Sequence, residues 1–198
     1  GTNGKTTVTA LTAALLQRAG LELAMAGNIG PTLLDTLTQG LEQGLPQAWV
    51  LELSSFQLND CADFQPNAAT VLNLSQDHLD WHDDMAAYGT AKGRIFGAST
   101  LRVLRRDDPT VAAWIPPVIE VSRRTPASAL APASVVTFGA DLPQRAGDFG
   151  LEEVNGMTWL VRAISTDETL KRQKGDEEEL FLQRLMPADA LRIRGRHN

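Results

Sequence analysis

The stretch that decides the fold is GTNGKTTVTALTAALLQRAG at residues 1–20, a glycine-rich turn that runs directly into a helix-forming segment. Apolar residues recur at helical spacing at positions 8, 11, 15 and 19. Gly20 then stands where a helix commonly ends in glycine. The sequence therefore predicts a helix over 5–19, preceded by a loop that contains Gly1 and Gly4.

This loop matches the second half of the phosphate-binding motif G-x-x-x-x-G-K-[ST]. Backbone amides at a helix N-terminus face phosphate oxygens, Lys5 would neutralise the β- and γ-oxygens, and the Thr6 hydroxyl would reach Mg²⁺. The predicted nucleotide-binding residues are Gly1, Thr2, Asn3, Gly4, Lys5, Thr6 and Thr7. The alternative is a plain turn whose helix is capped by Thr6 or Thr7. The buried strand that normally leads into such a loop does not precede residue 1, so we expect the chain to start within its own motif.

Composition excludes several classes of partner. The 198 residues carry a net charge of −6, and the pI of about 5.0 provides no basic surface for nucleic acid or an anionic membrane. Cys61 is the single cysteine, which excludes an intrachain disulfide framework and a cysteine-built zinc site. With no 18-residue apolar run and no basic-then-apolar start, we expect a cytoplasmic monomer that binds small molecules.

Apolar segments of strand length alternate with helical segments through the first hundred residues. Residues 21–26 are apolar, Pro31 suits the first position of a helix over roughly 31–39, and 84–96 reads as a further helix. The runs AWVLEL at 48–53 and AATVLNL at 68–74 lack alternation, as in strands buried on both faces of a parallel sheet. We predict an α/β fold of the P-loop type, a mainly parallel sheet flanked by helices, with ligands at the carboxyl ends of the strands.

The C-terminal half has a different pattern. From about residue 105, short apolar pieces are separated by prolines and small residues, which indicates loops and short strands. MTWLVRAI at 157–164 and LFLQRLM at 180–186 predict a smaller antiparallel strand region. The charged stretch between them, DETLKRQKGDEEE, is typical of a solvated surface.

Polar residues follow the two predicted strands. Glu52 ends the first strand, where a carboxylate could hold Mg²⁺ shared with Thr6 and the phosphates. Without a phosphate loop upstream, such a glutamate would be an ordinary surface residue. Ser54, Ser55 and Gln57 come next and could donate hydrogen bonds to a substrate, or could simply cap a helix.

The second strand is followed by LSQDHLDWH, which concentrates metal-ligating residues. A neutral imidazole next to carboxylates can bind a divalent metal, and His78 is the histidine nearer the strand end. His82 is interpreted as a structural histidine. Lys92, on the helix that follows, has no role on physical grounds alone.

Four strings coincide in order and spacing: GTNGKTT, GNIG, LELSSFQL, and DHLD followed by AAYGTAKGRIF. Together they resemble the central ATPase domain of the Mur ligases over residues 1–104, and ELSSFQL resembles the D-glutamate-adding branch of that family. The resemblance implies an ATP-dependent amide ligase of peptidoglycan precursor synthesis. Its substrates would be ATP, UDP-N-acetylmuramoyl-L-alanine and D-glutamate, joined through an acyl phosphate.

The resemblance also implies roles for single residues. Lys92 matches the family lysine that reacts with CO₂ to become a carbamate, an anionic metal ligand that only a deprotonated amine can form. With His78 it would hold a second Mg²⁺, while Thr6, Glu52 and the phosphates would hold the first. Together with Lys5, the residues His78, Glu52 and Lys92 make up the implied catalytic set.

Further positions match residues that contact the substrates. Asn28, Ser54 and Ser55 match positions that face the muramoyl substrate. The final string, RIRGRHN, resembles the family string G-x-H-N, which makes Asn198 an adenine contact. Asp77 falls on the acidic neighbour of the histidine and would orient it.

We expect the whole chain to be a central ATP-binding domain. Residues 1–104 would be its P-loop part, 105–190 a variable region of small strands, and 191–198 the start of a nucleotide-facing segment. The UDP-binding and amino-acid-binding domains of the family would lie outside this chain, which alone should be inactive. Two alternatives stay open: a non-catalytic P-loop module that only senses ATP, and another amide ligase of the superfamily that includes folylpolyglutamate synthase.

Overall fold

The structure is a computed structural model that describes residues 2–77, 79–115, 135–166 and 180–191, which form two compact units. The helices are α1 (Lys5–Arg18), α2 (Leu33–Gln43), α3 (Ser55–Asn59), α4 (Leu79–His82), α5 (Met85–Gly93) and α6 (Pro109–Ala112). The strands are β1 (Leu23–Gly27), β2 (Ala48–Glu52), β3 (Ala68–Val71), β4 (Leu101–Arg105), β5 (Val135–Phe138), β6 (Phe149–Val154), β7 (Met157–Ser165) and β8 (Leu180–Pro187). A short 3₁₀ helix, Ala188–Ala190, follows β8. No helix in these ranges has both the length and the apolar character needed to cross a membrane.

The first unit takes the described residues of 2–64 and 74–95. Its strands β1 and β2 pair in parallel, so that Gly27 lies opposite Glu52 where both strands end. Helix α1 packs on both strands, α2 packs on β1, and α3 and α4 pack on α5. Its buried side chains include Ala26, Leu58 and Tyr88.

The helix boundaries follow from local capping. Helix α1 begins at Lys5 as predicted and ends at Arg18, one residue early. The helix predicted over 31–39 lies instead at 33–43, and the placement of Pro31 at its first position was wrong. Thr32 is the N-cap, since its side chain accepts a hydrogen bond from the Asp35 amide at 3.2 Å, so the proline precedes the helix.

The second unit takes residues 65–73 and the described residues from 96 to 191. Its sheet has the order β3-β4-β5-β6-β7-β8. The pairings from β3 to β6 are parallel, and β6–β7 and β7–β8 are antiparallel. The predicted mainly parallel sheet with a C-terminal antiparallel region is therefore confirmed. The stretch 167–179 lies outside the described residues.

Candidate functional site

The loop before α1 is held by one threonine side chain. Thr2 Oγ1 donates to the Ser75 carbonyl oxygen and accepts from the Ser75 amide, both at 3.1 Å. It also lies 3.3 Å from the Tyr88 hydroxyl. Gly4 turns the chain into the helix with φ of 80°, a left-handed conformation that glycine adopts without steric cost. The loop is thus fixed against the segment that follows β3.

The first turn of α1 has the properties of an anion site. The first four amides of a helix have no partner inside it, and the dipole of a 14-residue helix is positive at this end. Lys5 begins the helix, and its Nζ donates to the Thr2 carbonyl oxygen at 3.1 Å, which folds the side chain back over the loop. This arrangement suits a phosphate group. Residues 2–7 lie in the loop and first turn as predicted, whereas Gly1 lies outside the described residues.

Glu52 is the buried carboxylate of the site. It ends β2 and is 4% exposed. Its Oε2 accepts from Thr6 Oγ1 at 2.8 Å, and its Oε1 accepts from Asn28 Nδ2 at 3.2 Å. A strand-end carboxylate, the loop threonine and the amide of the GNIG string therefore meet at one point. This is the edge of a parallel sheet at which ligands are expected.

The approach of Asn28 to Glu52 depends on the glycine before it. Gly27 has φ of 119°, and a Cβ at this position would overlap the backbone carbonyl oxygen of Glu52. The amide of Asn28 donates to that same oxygen at 2.7 Å. Only a residue without a side chain allows β1 and β2 to end this close together.

The three residues after β2 have structural partners of their own. Ser54 caps α3 in a capping box: its Oγ accepts from the Gln57 amide at 3.2 Å, and Gln57 Oε1 accepts from the Ser54 amide at 2.9 Å. Ser55 is 1% exposed and forms a 2.8 Å hydrogen bond between its Oγ and His82 Nε2. The capping alternative noted for the sequence therefore describes Ser54 and Gln57 in this structure.

Lys92 is a buried cation, 3% exposed, on α5. Burial lowers its pKa, because the charged ammonium loses its hydration, and the negative charge of Asp77 opposes that shift. Its Nζ also lies 4.8 Å from the centroid of the Tyr88 ring. At a given pH, a larger fraction of Lys92 than of a solvated lysine is therefore in the neutral amine form. His78 and Asn198, two further predicted site residues, lie outside the described residues.

Sequence reasoning missed Tyr88, which is fully buried between the loop and Lys92. A signal was present, because Tyr88 and Lys92 are four residues apart and so share one face of a helix. The interpretation of His82 as structural agrees with its burial. Its pairing with Ser55 has no local sequence signal, since the two residues are 27 positions apart.

The donor set around Glu52 fits Mg²⁺. This ion prefers hard oxygen ligands and usually takes one or two carboxylates together with substrate phosphates. A single buried carboxylate beside the Thr6 hydroxyl matches that preference. Within the described ranges, no group of three or more His, Cys, Asp or Glu side chains could hold a metal alone. Beside the Glu52 carboxylate and the Thr6 hydroxyl, Mg²⁺ would take further ligands from phosphate oxygens and water.

The sequence of this chain is similar to sequences of known proteins. Residues 1–141 match the model of the Mur ligase middle domain. The whole chain aligns with proteins named UDP-N-acetylmuramoylalanine--D-glutamate ligase, at 63% identity in Albidiferax ferrireducens, 64% in a Polaromonas strain and 50% in Burkholderia mallei. It spans 38%, 33% and 40% of those three proteins, respectively.

The family match covers the phosphate loop, both strands that end at Glu52 and Asn28, and the helix that carries Lys92. The same residues form the candidate site in the first unit. The chain belongs to the Mur ligase family and contains its middle domain.

Proposed function

We propose that this chain is the ATP- and Mg²⁺-binding part of a ligase that adds D-glutamate to UDP-N-acetylmuramoyl-L-alanine in peptidoglycan precursor synthesis. The observation that carries the proposal is the 2.8 Å hydrogen bond between the phosphate-loop residue Thr6 and the buried carboxylate of Glu52. The names of the relatives supply the substrate pair. We further propose that the enzyme is a cytoplasmic monomer.

Nucleotide binding is assigned to the loop and the first turn of α1. The amides of residues 1–7 would hold the phosphates, Lys5 would neutralise the β- and γ-oxygens, and Asn198 would contact the adenine. Bound magnesium ions would neutralise charge on the transferring phosphoryl group. Thr6 and Glu52 would hold one ion, and His78 and Lys92 a second.

Lys92 is proposed to act as a carbamate. Its neutral amine would attack CO₂, forming an N–C bond and releasing one proton, so that a cation becomes an anionic oxygen ligand. The lowered pKa of Lys92 supports this role, because only the deprotonated amine has the lone pair that the reaction needs. Asp77 is proposed to orient His78.

The reaction would proceed in two steps. A carboxylate oxygen of the L-alanyl group attacks the γ-phosphorus, the bond to the β,γ-bridging oxygen breaks, and ADP leaves from an acyl phosphate. The amine of D-glutamate then attacks the acyl carbon, loses a proton, and expels inorganic phosphate to leave an amide. Lys5 would stabilise the charge that develops on the phosphoryl oxygens in the first step.

Asn28, Ser54, Ser55 and Gln57 are proposed to line the muramoyl side of the site. Asn28 has its amide group on Glu52, so it would link substrate and metal. Ser54 and Gln57 would contribute from the N-terminus of α3, whose capping box fixes their positions. Ser55 would support the muramoyl side of the site from the protein interior, because its side chain is buried.

The test uses the full-length enzyme and measures ADP release with UDP-N-acetylmuramoyl-L-alanine and ATP. Release that requires D-glutamate, and that meso-diaminopimelate does not support, is the expected result. Release with diaminopimelate or with a folate substrate would assign the chain to another branch. Nucleotide binding without any acceptor-dependent release would make it a sensing module.

A second measurement tests the metal assignment. Lys92→Ala should abolish turnover while ATP binding through Lys5 and the loop persists. Unchanged turnover in this variant would refute the carbamate model but leave the substrate assignment standing.

A further inference from the structure

One histidine, His82, contacts side chains of α3 and α5, two helices that carry proposed site residues. His82 ends α4 and is 4% exposed. Its Nε2 forms a 2.8 Å hydrogen bond with Ser55 Oγ, at the start of α3. Both partners are buried, so neither group has water as an alternative partner.

The His82 ring is enclosed by three aromatic side chains. It stacks on Phe56 at 5.7 Å between centroids with an interplanar angle of 17°. It meets Trp81 edge-on at 4.4 Å and Tyr88 at 5.2 Å. These rings belong to α3, α4 and α5, so the imidazole has little freedom to turn away from Ser55.

Tyr88 extends the connection to the phosphate loop and to Lys92. Its hydroxyl is 3.3 Å from Thr2 Oγ1, and its ring lies 4.8 Å from Lys92 Nζ. Ser55, on the other side of His82, lies three residues after Glu52. His82 is therefore two contacts away from Lys92, through Tyr88, and is hydrogen-bonded to a residue three positions after Glu52.

A polar pair at this position has a cost that an apolar pair of similar size would avoid, since both groups lose hydration. What a buried hydrogen bond adds over apolar packing is direction: it fixes the angle and distance between the segments it joins. The hydrogen bond between α3 and α4 therefore contributes more to the relative position of the two helices than to the free energy of unfolding.

We propose that His82 is a positioning residue. Its hydrogen bond to Ser55 fixes the distance between residues 52–54, at the end of β2, and the loop and helix that carry Asp77 and Lys92. This rests on the proposed ligase function, because it assumes that both sides hold magnesium for one reaction. His82 itself touches neither substrate nor metal.

The experiment compares Ser55→Ala, His82→Leu, the double variant and His82→Gln in the full-length enzyme. Glutamine can place an amide near the position of the imidazole Nε2, whereas leucine fills space without a hydrogen bond. Thr100→Val is the matched control, since Thr100 is fully buried in the second unit and its hydroxyl donates to the Pro66 carbonyl oxygen at 2.8 Å.

We expect Ser55→Ala and His82→Leu each to lower kcat about tenfold with little change in the KM for ATP. The double variant should be no worse than either single one, and His82→Gln should recover most of the loss. Thr100→Val should lower the unfolding temperature without changing kcat. Multiplied losses in the double variant, or a Gln variant as poor as Leu, would overturn the proposal.

A second readout does not depend on turnover. The Mg²⁺ concentration needed for half-maximal binding of a non-hydrolysable ATP analogue should rise severalfold in Ser55→Ala and in His82→Leu, and not in Thr100→Val. An unchanged magnesium dependence, with only a lower unfolding temperature, would make His82 a purely structural residue. If the wild-type enzyme fails the D-glutamate test and the Ser55→Ala and His82→Leu variants still show this magnesium effect, the ligase proposal fails, whereas the role of His82 in positioning the magnesium ligands stands.

Discussion

Lys92 is a residue whose burial destabilises the fold while placing an amine in the candidate site. Burying an ammonium removes its hydration, and the negative charge of Asp77 offsets only part of that loss, since the pKa of Lys92 is still lowered. A side chain selected only for packing would not be charged at this position. The cost is understandable if the neutral amine is the form that the reaction uses.

Lys92→Met should therefore stabilise the protein while strongly reducing ligation. Methionine has similar length and no charge to desolvate, so the free energy of unfolding at neutral pH should rise. Turnover should fall on the order of 100-fold. Urea unfolding followed by circular dichroism, beside the ADP-release assay, measures both effects.

The same substitution changes the pH dependence of stability. Between the lowered pKa of folded Lys92 and its ordinary value, the unfolded chain binds more protons, so wild-type stability rises with pH across that interval. The cost is complete below the interval and absent above it. The Met variant should lack this slope, and a slope equal to that of the wild type would contradict the buried-cation interpretation.

Gly27→Ala should be among the most damaging single changes in the first unit. The added Cβ would overlap the Glu52 carbonyl oxygen at a φ of 119°. We expect a loss of roughly 3 kcal/mol in unfolding free energy and weaker magnesium-dependent nucleotide binding. Gly20→Ala is the control, because its φ is 86° but nothing lies within 4 Å of a Cβ there, and about 1 kcal/mol is expected. Equal losses in the two variants would show that the positive φ angle, and not the close approach to Glu52, determines the loss of unfolding free energy.

At the level of single elements, α3 is short and depends on its N-terminal cap. It has five residues, and a capping box satisfies two of its end groups. Helix α2 is also capped by a side chain, that of Thr32, but carries no predicted site residue. The two helices therefore allow capping to be separated from function.

Ser54→Ala and Thr32→Ala should each cost about 1 kcal/mol of unfolding free energy, since each removes an N-cap acceptor. Only Ser54→Ala should also lower kcat/KM for the UDP-linked substrate, because α3 orients the residues that follow Glu52. Unfolding curves and initial rates of both variants test this. A similar loss of activity in Thr32→Ala would mean that the effect is general destabilisation.

Helices and strands with a clear period and a clear end were predictable. Helix α1 has regular apolar spacing and a terminal glycine, and it was placed within one residue. The start of α2 was misplaced, because Pro31 and Thr32 both satisfy rules for helix starts and only the hydrogen bond from the Asp35 amide distinguishes them. Strand β3 ends at Val71 although the apolar run continues to Leu74, since hydrophobicity alone does not show where pairing stops.

At the level of the whole molecule, contacts between distant segments limited prediction. The sequence identified Thr6 and Glu52 separately, and their approach followed from a general rule about parallel sheets. It contained no local signal for the Ser55–His82 hydrogen bond or for the contact of Thr2 with Ser75, which join residues 27 and 73 positions apart. Such contacts depend on how several helices and strands pack together. The sequence of a single segment does not determine that packing.

Residues 1–198 expressed alone should not ligate D-glutamate. They span only 38% and 33% of two relatives, and we propose that substrate-binding domains make up the remainder. Weak nucleotide binding without product formation is expected when the purified segment is assayed by mass spectrometry for the dipeptide product. Detection of that product would place both substrate sites within these residues.

The contact between Gly27 and Glu52 also limits how this part of the site can change by mutation. Resistance to an inhibitor often arises when a mutation replaces a side chain that the compound touches. At Gly27 every replacement adds a Cβ in space that the Glu52 backbone already occupies. A compound in contact with Gly27 would therefore leave little room for escape by replacement of that glycine.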